Sequence, residues 1–324
     1  MSTARELNRR QFLAQGGATA AALLAARGLA AEAVPPKGPA VLIVRDKTKK
    51  VIDGFNVDAA IAQKLVDKAV MTLTGKDDIA KAWATYAGPK DKVAIKFNGL
   101  FRRATTHPEL IVAVANGLVK AGVDPANIVV YDRSDKDLKT ADLTLNRDGK
   151  GIRIYGTERD YGSEVKAGPV STKISKILLD ATVLINLPIL KSHVRCSITG
   201  ALKNHLGTVP NAGGFHNDCC AAIADLNTLA PIKEKTRLCI ADAFYAQYDG
   251  GPTYSAGARW DFCGVLASTD PVALDATFDD IIMARRVEKG IKPRHNEPTH
   301  ILRAAELGLG EANIKNIKRL EIEV

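Results

Sequence analysis

The chain has 324 residues, 46% of them hydrophobic and 25% charged, with a mean hydropathy of −0.05. That is a globular composition, and it excludes disordered and collagen-like readings. Aromatic residues make up only 5%, which argues against a sugar-stacking groove or a single-strand nucleic-acid platform, since both need ring faces. The formal net charge is +9, yet the lysines are dispersed and no run of five or six like charges marks a nucleic-acid arm. A small anionic ligand is the expected partner, and nucleic acid is not.

The N-terminal segment reads Asn8-Arg9-Arg10-Gln11-Phe12-Leu13, followed by an Ala, Gly and Leu-rich stretch to Ala26. This pattern predicts a twin-arginine export signal. Its apolar core of roughly 13 residues is too short for the ~20 that span a bilayer, and Ala31-Glu32-Ala33 supplies a small-x-small cleavage site. Residues 1–33 are therefore expected to be a signal peptide for the twin-arginine translocase, with residues 34–324 as a single α/β domain in the periplasm. The mature form is expected to have no stable membrane span and to keep a net charge of +7. Substrates of this route are exported folded, often with a cofactor already inserted.

Along the mature chain, short apolar β-rich runs occur at 41–44, 93–97, 128–131, 152–155, 183–186, 238–241, 265–267 and 320–324. Continuous apolar runs are the mark of strands buried on both faces. The helical patterns between them, at 57–73, 108–121, 219–229, 271–287 and 299–307, supply the crossovers that parallel pairing needs. The expected fold is α/β, a mainly parallel sheet with helices on both faces, Rossmann-like but without a dinucleotide fingerprint. The polar stretch 135–151 is the clearest candidate boundary inside it. Thr106 is expected to cap the helix that opens at Pro108, with Glu109 closing a capping box, and Asp270 to cap the helix that opens at Pro271. Both helix starts follow strand ends on the side of an α/β sheet where ligands bind, so Thr106 and Asp270 are also candidate substrate contacts.

Five cysteines, at 196, 219, 220, 239 and 263, show no C-x-x-C spacing and so predict neither a zinc ribbon nor a ferredoxin-type cluster. Cys196, Cys239 and Cys263 read as small buried hydrophobes. The adjacent pair Cys219-Cys220 leaves a vicinal disulfide or a metal role open.

The densest polar chemistry follows the run ending at Leu187, in Leu190-Lys191-Ser192-His193 and Leu202-Lys203-Asn204-His205. Leu-Lys-x-His thus occurs twice, and in extended chain a Lys and a His two apart share one face. Lysine offers a point charge for carboxylate or phosphate, and histidine a proton shuttle or metal ligand. A Gly-containing loop with His216 follows, which places three of the six histidines within 24 residues. Asp242, at the end of the run 238–241, is a candidate carboxylate partner. His193, His216 and Asp242 form the candidate metal set, and Asn98 and Asn204 join the candidate substrate contacts. No Gly-x-Gly-x-x-Gly, Walker loop, Gly-x-Ser-x-Gly or His-Glu-x-x-His is present, so dinucleotide, nucleoside triphosphate, serine-hydrolase and zinc-protease readings lack their signatures.

These residues resemble the family catalogued as domain of unknown function 362. The resemblance runs through Lys96-Phe97-Asn98, Thr106-His107-Pro108-Glu109, the segment 186–193, Leu202-Lys203-Asn204-x-x-Gly207, Asp242-Ala243, Gly250-Gly251-Pro252 and the segment 267–275. It implies a fold and a site built on Lys191, His193, Lys203 and Asn204, and no reaction. Some relatives carry ferredoxin-like cysteine segments, a link to redox chemistry and iron-sulfur clusters that this chain does not share. The resulting expectation is a periplasmic enzyme in which Lys191, His193 and Lys203 act on a small anion by acid-base or metal-assisted chemistry. The alternative is a non-catalytic carrier of a divalent metal, an iron-sulfur cluster or an anion, or an accessory of an exported redox system.

Overall fold

The computed structural model describes residues 36, 38–293 and 296–324. The twin-arginine motif and its cleavage site lie outside the described residues. Ten strands build one sheet: β1 (Ala40–Arg45), β2 (Val93–Phe97), β3 (Ile128–Tyr131), β4 (Arg153–Ile154), β5 (Val183–Leu187), β6 (Ile189–His193), β7 (Ser197–Ile198), β8 (Thr236–Gln247), β9 (Arg259–Ser268) and β10 (Lys318–Glu323). The order across the sheet is β10-β1-β9-β8-β5-β2-β3-β4, with β6 also on β8 and β7 on β6. Only β9 and the short β7 run against their neighbours; every other pairing is parallel. The mainly parallel α/β fold is therefore present, and the predicted strands at 93–97 and 128–131 have the observed bounds.

Parallel strands need crossovers, and the helices that supply them cover both faces. Val183 and Ile185 pack on one face with helices α1 (Ala59–Thr74) and α2 (Pro108–Lys120), while Leu184 packs on the other. That second face is covered by α3 (Gly200–Asn204), α4 (Ala222–Asn227), α5 (Pro271–Glu288) and α6 (Thr299–Glu306). All five residues of β2 are buried, as the continuous apolar reading of that segment requires. Among the described residues, no helix is long and apolar enough to cross a membrane.

Three local expectations need correction. β6 was not foreseen as a strand: Pro188, which has no N–H to donate, interrupts the chain after β5, and the next five residues move over to pair with β8. Thr106 does not cap α2, whose cap position is His107 with no side-chain cap bond. Its hydroxyl instead donates to Leu187 O and accepts from Asn98 N, stapling the ends of β5 and β2 together. The stretch 135–151 is no boundary in the sheet, since β4 beyond it continues the same sheet. Asp270 does cap α5, accepting from Val272 N and Ala273 N.

The cysteines also pair differently. Cys196 is joined to Cys220, and Cys219 is free and exposed, so the vicinal disulfide is replaced by a bridge between two loops. A separation of 24 residues gives this bridge about 3 kcal/mol of stabilisation through lost loop entropy in the unfolded chain. Thiol titration without reductant should find one reactive thiol, Cys219, in the folded protein, and two more, Cys239 and Cys263, only after unfolding. Cys220→Ser should lower the unfolding free energy by about 3 kcal/mol in a urea titration.

Candidate functional site

The C-terminal ends of β2, β3 and β6 meet at a cavity of about 220 Å³, on the side of an α/β sheet where ligands bind. Lys191 and His193 reach it together because residues two apart on β6 share a face, and both are buried. Lys203 and Asn204 arrive on α3. That helix is held at its start by Asp275, whose carboxylate accepts from Ala201 N and Leu202 N, and burial pushes the Asp275 carboxyl up to about 7. His216 lines the cavity from the loop after α3 and stacks on His193.

The second Leu-Lys-x-His copy does not repeat the first. On a helix, residues two apart point about 200° from one another, so Lys203 faces the cavity while His205 turns into the core and bonds Asn227 Oδ1 at 2.6 Å. Asp242 is not part of the site either. Fully buried, it accepts from the backbone N and ring Nδ1 of His107 at 2.7 and 2.8 Å, and so fixes the start of α2. Burial pushes the His107 imidazole down, but the Asp242 carboxylate more than offsets this and raises it overall. Asp270 is committed to capping α5 and to Glu311 N. Thr106 is buried, with its hydroxyl committed to Leu187 O and Asn98 N, and does not line the cavity. Of the predicted contacts, the structure gathers Asn98, Lys191, His193, Lys203, Asn204 and His216.

Two further residues complete the floor. Lys96, inside the otherwise apolar β2, pairs with Asp132 at the end of β3 at 2.8 Å. Its ammonium also reaches Phe97 O and Asn204 Oδ1. A lysine in a strand buried on both faces was the sequence signal for this pair, because such a charge needs a partner. Asn204 bonds Asn186, Asn98 and Lys96 O, which locks α3 onto the strand ends. Gly207 permits that approach, since a Cβ there would lie 2.1 Å from Asp132 Oδ1 and 2.3 Å from Lys96 Cε.

Charge in the cavity is unbalanced. Lys96 is paired with Asp132, and Arg133 lies 3.9 Å from Asp137. Lys191 donates to Ala104 O at 2.6 Å and Asn98 Oδ1 at 3.3 Å, both uncharged acceptors, and Lys203 makes no hydrogen bond or ion pair among the described residues. Burial and then the Lys203 charge push Lys191 down to about 7, and burial pushes Lys203 down to about 8.

The two histidines are neutral and carry their protons on different ring atoms. Burial first, then Lys203, pushes His193 down to about 2 and His216 to about 4. His193 Nδ1 accepts from Arg195 N and Cys196 N, so its proton sits on Nε2. His216 Nδ1 lies 3.0 Å from Ala212 O, an acceptor only, so its Nδ1 bears the proton and Nε2 offers a lone pair. The rings stack with centroids 5.6 Å apart. The disulfide secures this arrangement by tying the turn after His193 to the loop after His216. His193, Cys196 and His216 also place candidate metal-ligand atoms within 4.8 Å of one another, although the Cys196 sulfur is engaged in the disulfide.

The family model for a domain of unknown function, DUF362, matches residues 93–279. The chain belongs to this family. The matched segment contains the whole cavity lining, from Lys96 to Pro252. Over 247 residues this DUF362 chain is 29% identical to the thylakoid-associated protein sll1697 of Synechocystis sp., covering 66% of this chain and 73% of that protein. Among solved structures, it aligns with the lactate racemase apoprotein from Thermoanaerobacterium thermosaccharolyticum at a TM-score of 0.41 and 11% identity, over 75% of this chain. The chain spans 56% of that protein.

Three outcomes follow from this geometry. Asp242→Ala should cost about 3 kcal/mol of stability, since it strands the buried His107, and a denaturant titration measures it. Gly207→Ala should cost about 1–3 kcal/mol by forcing apart Asp132 and Lys96. Phosphate should bind more weakly as pH rises through 7 and 8, where Lys191 and Lys203 lose their charge. A bound anion favours the ammonium forms, so binding near pH 7.5 takes up protons; calorimetry in two buffers of different ionisation enthalpy reads that uptake.

Proposed function

We propose that this DUF362 protein is a periplasmic enzyme that binds a small anion, carboxylate or phosphate, between Lys191 and Lys203. His193 and His216 then act on it as a proton-donating and proton-accepting pair. The observation that carries this reading is the charge imbalance: the other cations of the cavity are ion-paired to carboxylates, and among the described residues these two lysines are not. The opposed ring tautomers fit acid-base work, because one imidazole presents N–H and the other a lone pair to the same space. A volume of about 220 Å³ is below that of drug-sized sites and suits a molecule of a few carbons. The Cys196–Cys220 disulfide supports an oxidising compartment, in keeping with export of the mature chain by the twin-arginine translocase.

The metal-assisted variant fits less well in this oxidised form. Cys196 is not a thiolate, and His193 would have to give up either its Nε2 proton or its two backbone bonds at Nδ1 to coordinate.

Calorimetric titration with inorganic phosphate and with succinate tests the site. Saturable binding, weakened at least tenfold in Lys203→Met, is the expected result, about the worth of one charge-assisted hydrogen bond. Failure of both anions to bind a protein that melts cooperatively would overturn the reading. Turnover of the anion class that binds, lost in His216→Gln, places the histidines in chemistry; binding without turnover identifies a carrier.

A further inference from the structure

The arrangement around Lys203 goes further than a counter-charge. We infer that Lys203 is an amine nucleophile that captures a small 2-oxo acid as an imine, with the carboxylate of that acid held by Lys191. This rests on the anion site proposed above and names its substrate class and its covalent step.

The first support is that nothing in the described residues holds the Lys203 amine: it makes no hydrogen bond and no ion pair, although it lines the cavity. An ammonium whose task was structural would have partners, as Lys96 has in Asp132, Phe97 O and Asn204. The second is its position. Lys203 lines the same cavity as Lys191, His193 and His216. A second cation and an apolar enclosure are the conditions under which a lysine amine sheds its proton and becomes nucleophilic. Leu100, Phe101, Leu206 and Pro252 supply the apolar lining. Burial, which holds Lys203 near 8, acts in the same direction.

The roles divide by hydrogen-bonding capacity. A carboxylate seated on Lys191 favours its ammonium form, which has three N–H donors and spends two, on Ala104 O and Asn98 Oδ1, so one remains for that carboxylate. His216 Nε2 has the lone pair that can take a proton from the attacking amine. His193 Nε2–H can donate a hydrogen bond to the carbonyl oxygen as negative charge develops on it. The step balances without an oxidant. The Nζ–C bond forms, the carbonyl C–O bond breaks, and both amine protons leave with that oxygen as water. His216 passes the first of them from nitrogen to oxygen.

The experiment is borohydride trapping on the folded, disulfide-intact chain with pyruvate as the probe, read by intact mass and peptide mapping. The expected product gains the mass of pyruvate less one oxygen, on Lys203. Lys203→Arg, which keeps a cation but lacks the amine lone pair, should form no adduct. An adduct on Lys191, or one spread over surface lysines as in the unfolded protein, would overturn the assignment to Lys203. Pyruvate that binds in calorimetry and yields no adduct would overturn the covalent step and leave the anion site standing. Absence of both pyruvate and phosphate binding would remove the anion site and the imine together.

Discussion

The buried Lys96–Asp132 ion pair is the contact around which the cavity is arranged. It joins the ends of two adjacent parallel strands, and its 2.8 Å separation compensates a lysine placed where no lone charge is tolerated. Asn204 sets the position of α3 against the same ammonium and the same strand ends. Asp132 is taken up by Lys96, Gly99 N and Arg133 N, and it forms no ion pair with Lys191 or Lys203. The positive character of the site is thus a consequence of how its floor is held together.

Carboxylates do most of the positioning elsewhere. Asp275 holds the start of α3, Asp242 holds the start of α2, and Asp270 holds the start of α5. Each satisfies backbone N–H groups that a helix leaves without partners. With these acids committed to backbone, and with Asp132 and Asp137 facing Lys96 and Arg133, the cavity groups left without an ion-pair partner are two amines and two imidazoles. Their burial lowers each of them toward its neutral form. A neutral amine and neutral imidazoles are groups that make and move bonds to hydrogen, whereas the same residues in water would be cations or partly so.

The disulfide bears on this chemistry as well. Cys196 follows His193 by three residues and Cys220 follows His216 by four, so the bond between them fixes the distance between the two rings. A compartment that kept these thiols reduced would leave that spacing to weaker contacts.

Much of the fold was legible in the chain itself. Apolar runs such as 128–131, and 93–97 apart from Lys96, can be buried only on both faces, and the helical patterns between them force parallel pairing. Asp270-Pro271 defined a helix start because cap chemistry is local. Lys191 and His193 were legible as a pair once their segment was extended, since alternation is a property of any strand. What lay beyond the sequence depended on partners far along the chain. Asp242 looked like a site carboxylate until His107, 135 positions away, was found against it, and Thr106 looked like a cap until Leu187 O claimed its hydroxyl. His205 shared a motif with His193, but a helix turned it inward where a strand would have turned it toward the ligand. Local rules decided which residues carry chemistry and which elements they sit on; only the packing of strand ends, helix starts and one disulfide decided which of them face one another, because hydrogen bonds and charge pairs form across space and leave no spacing to read.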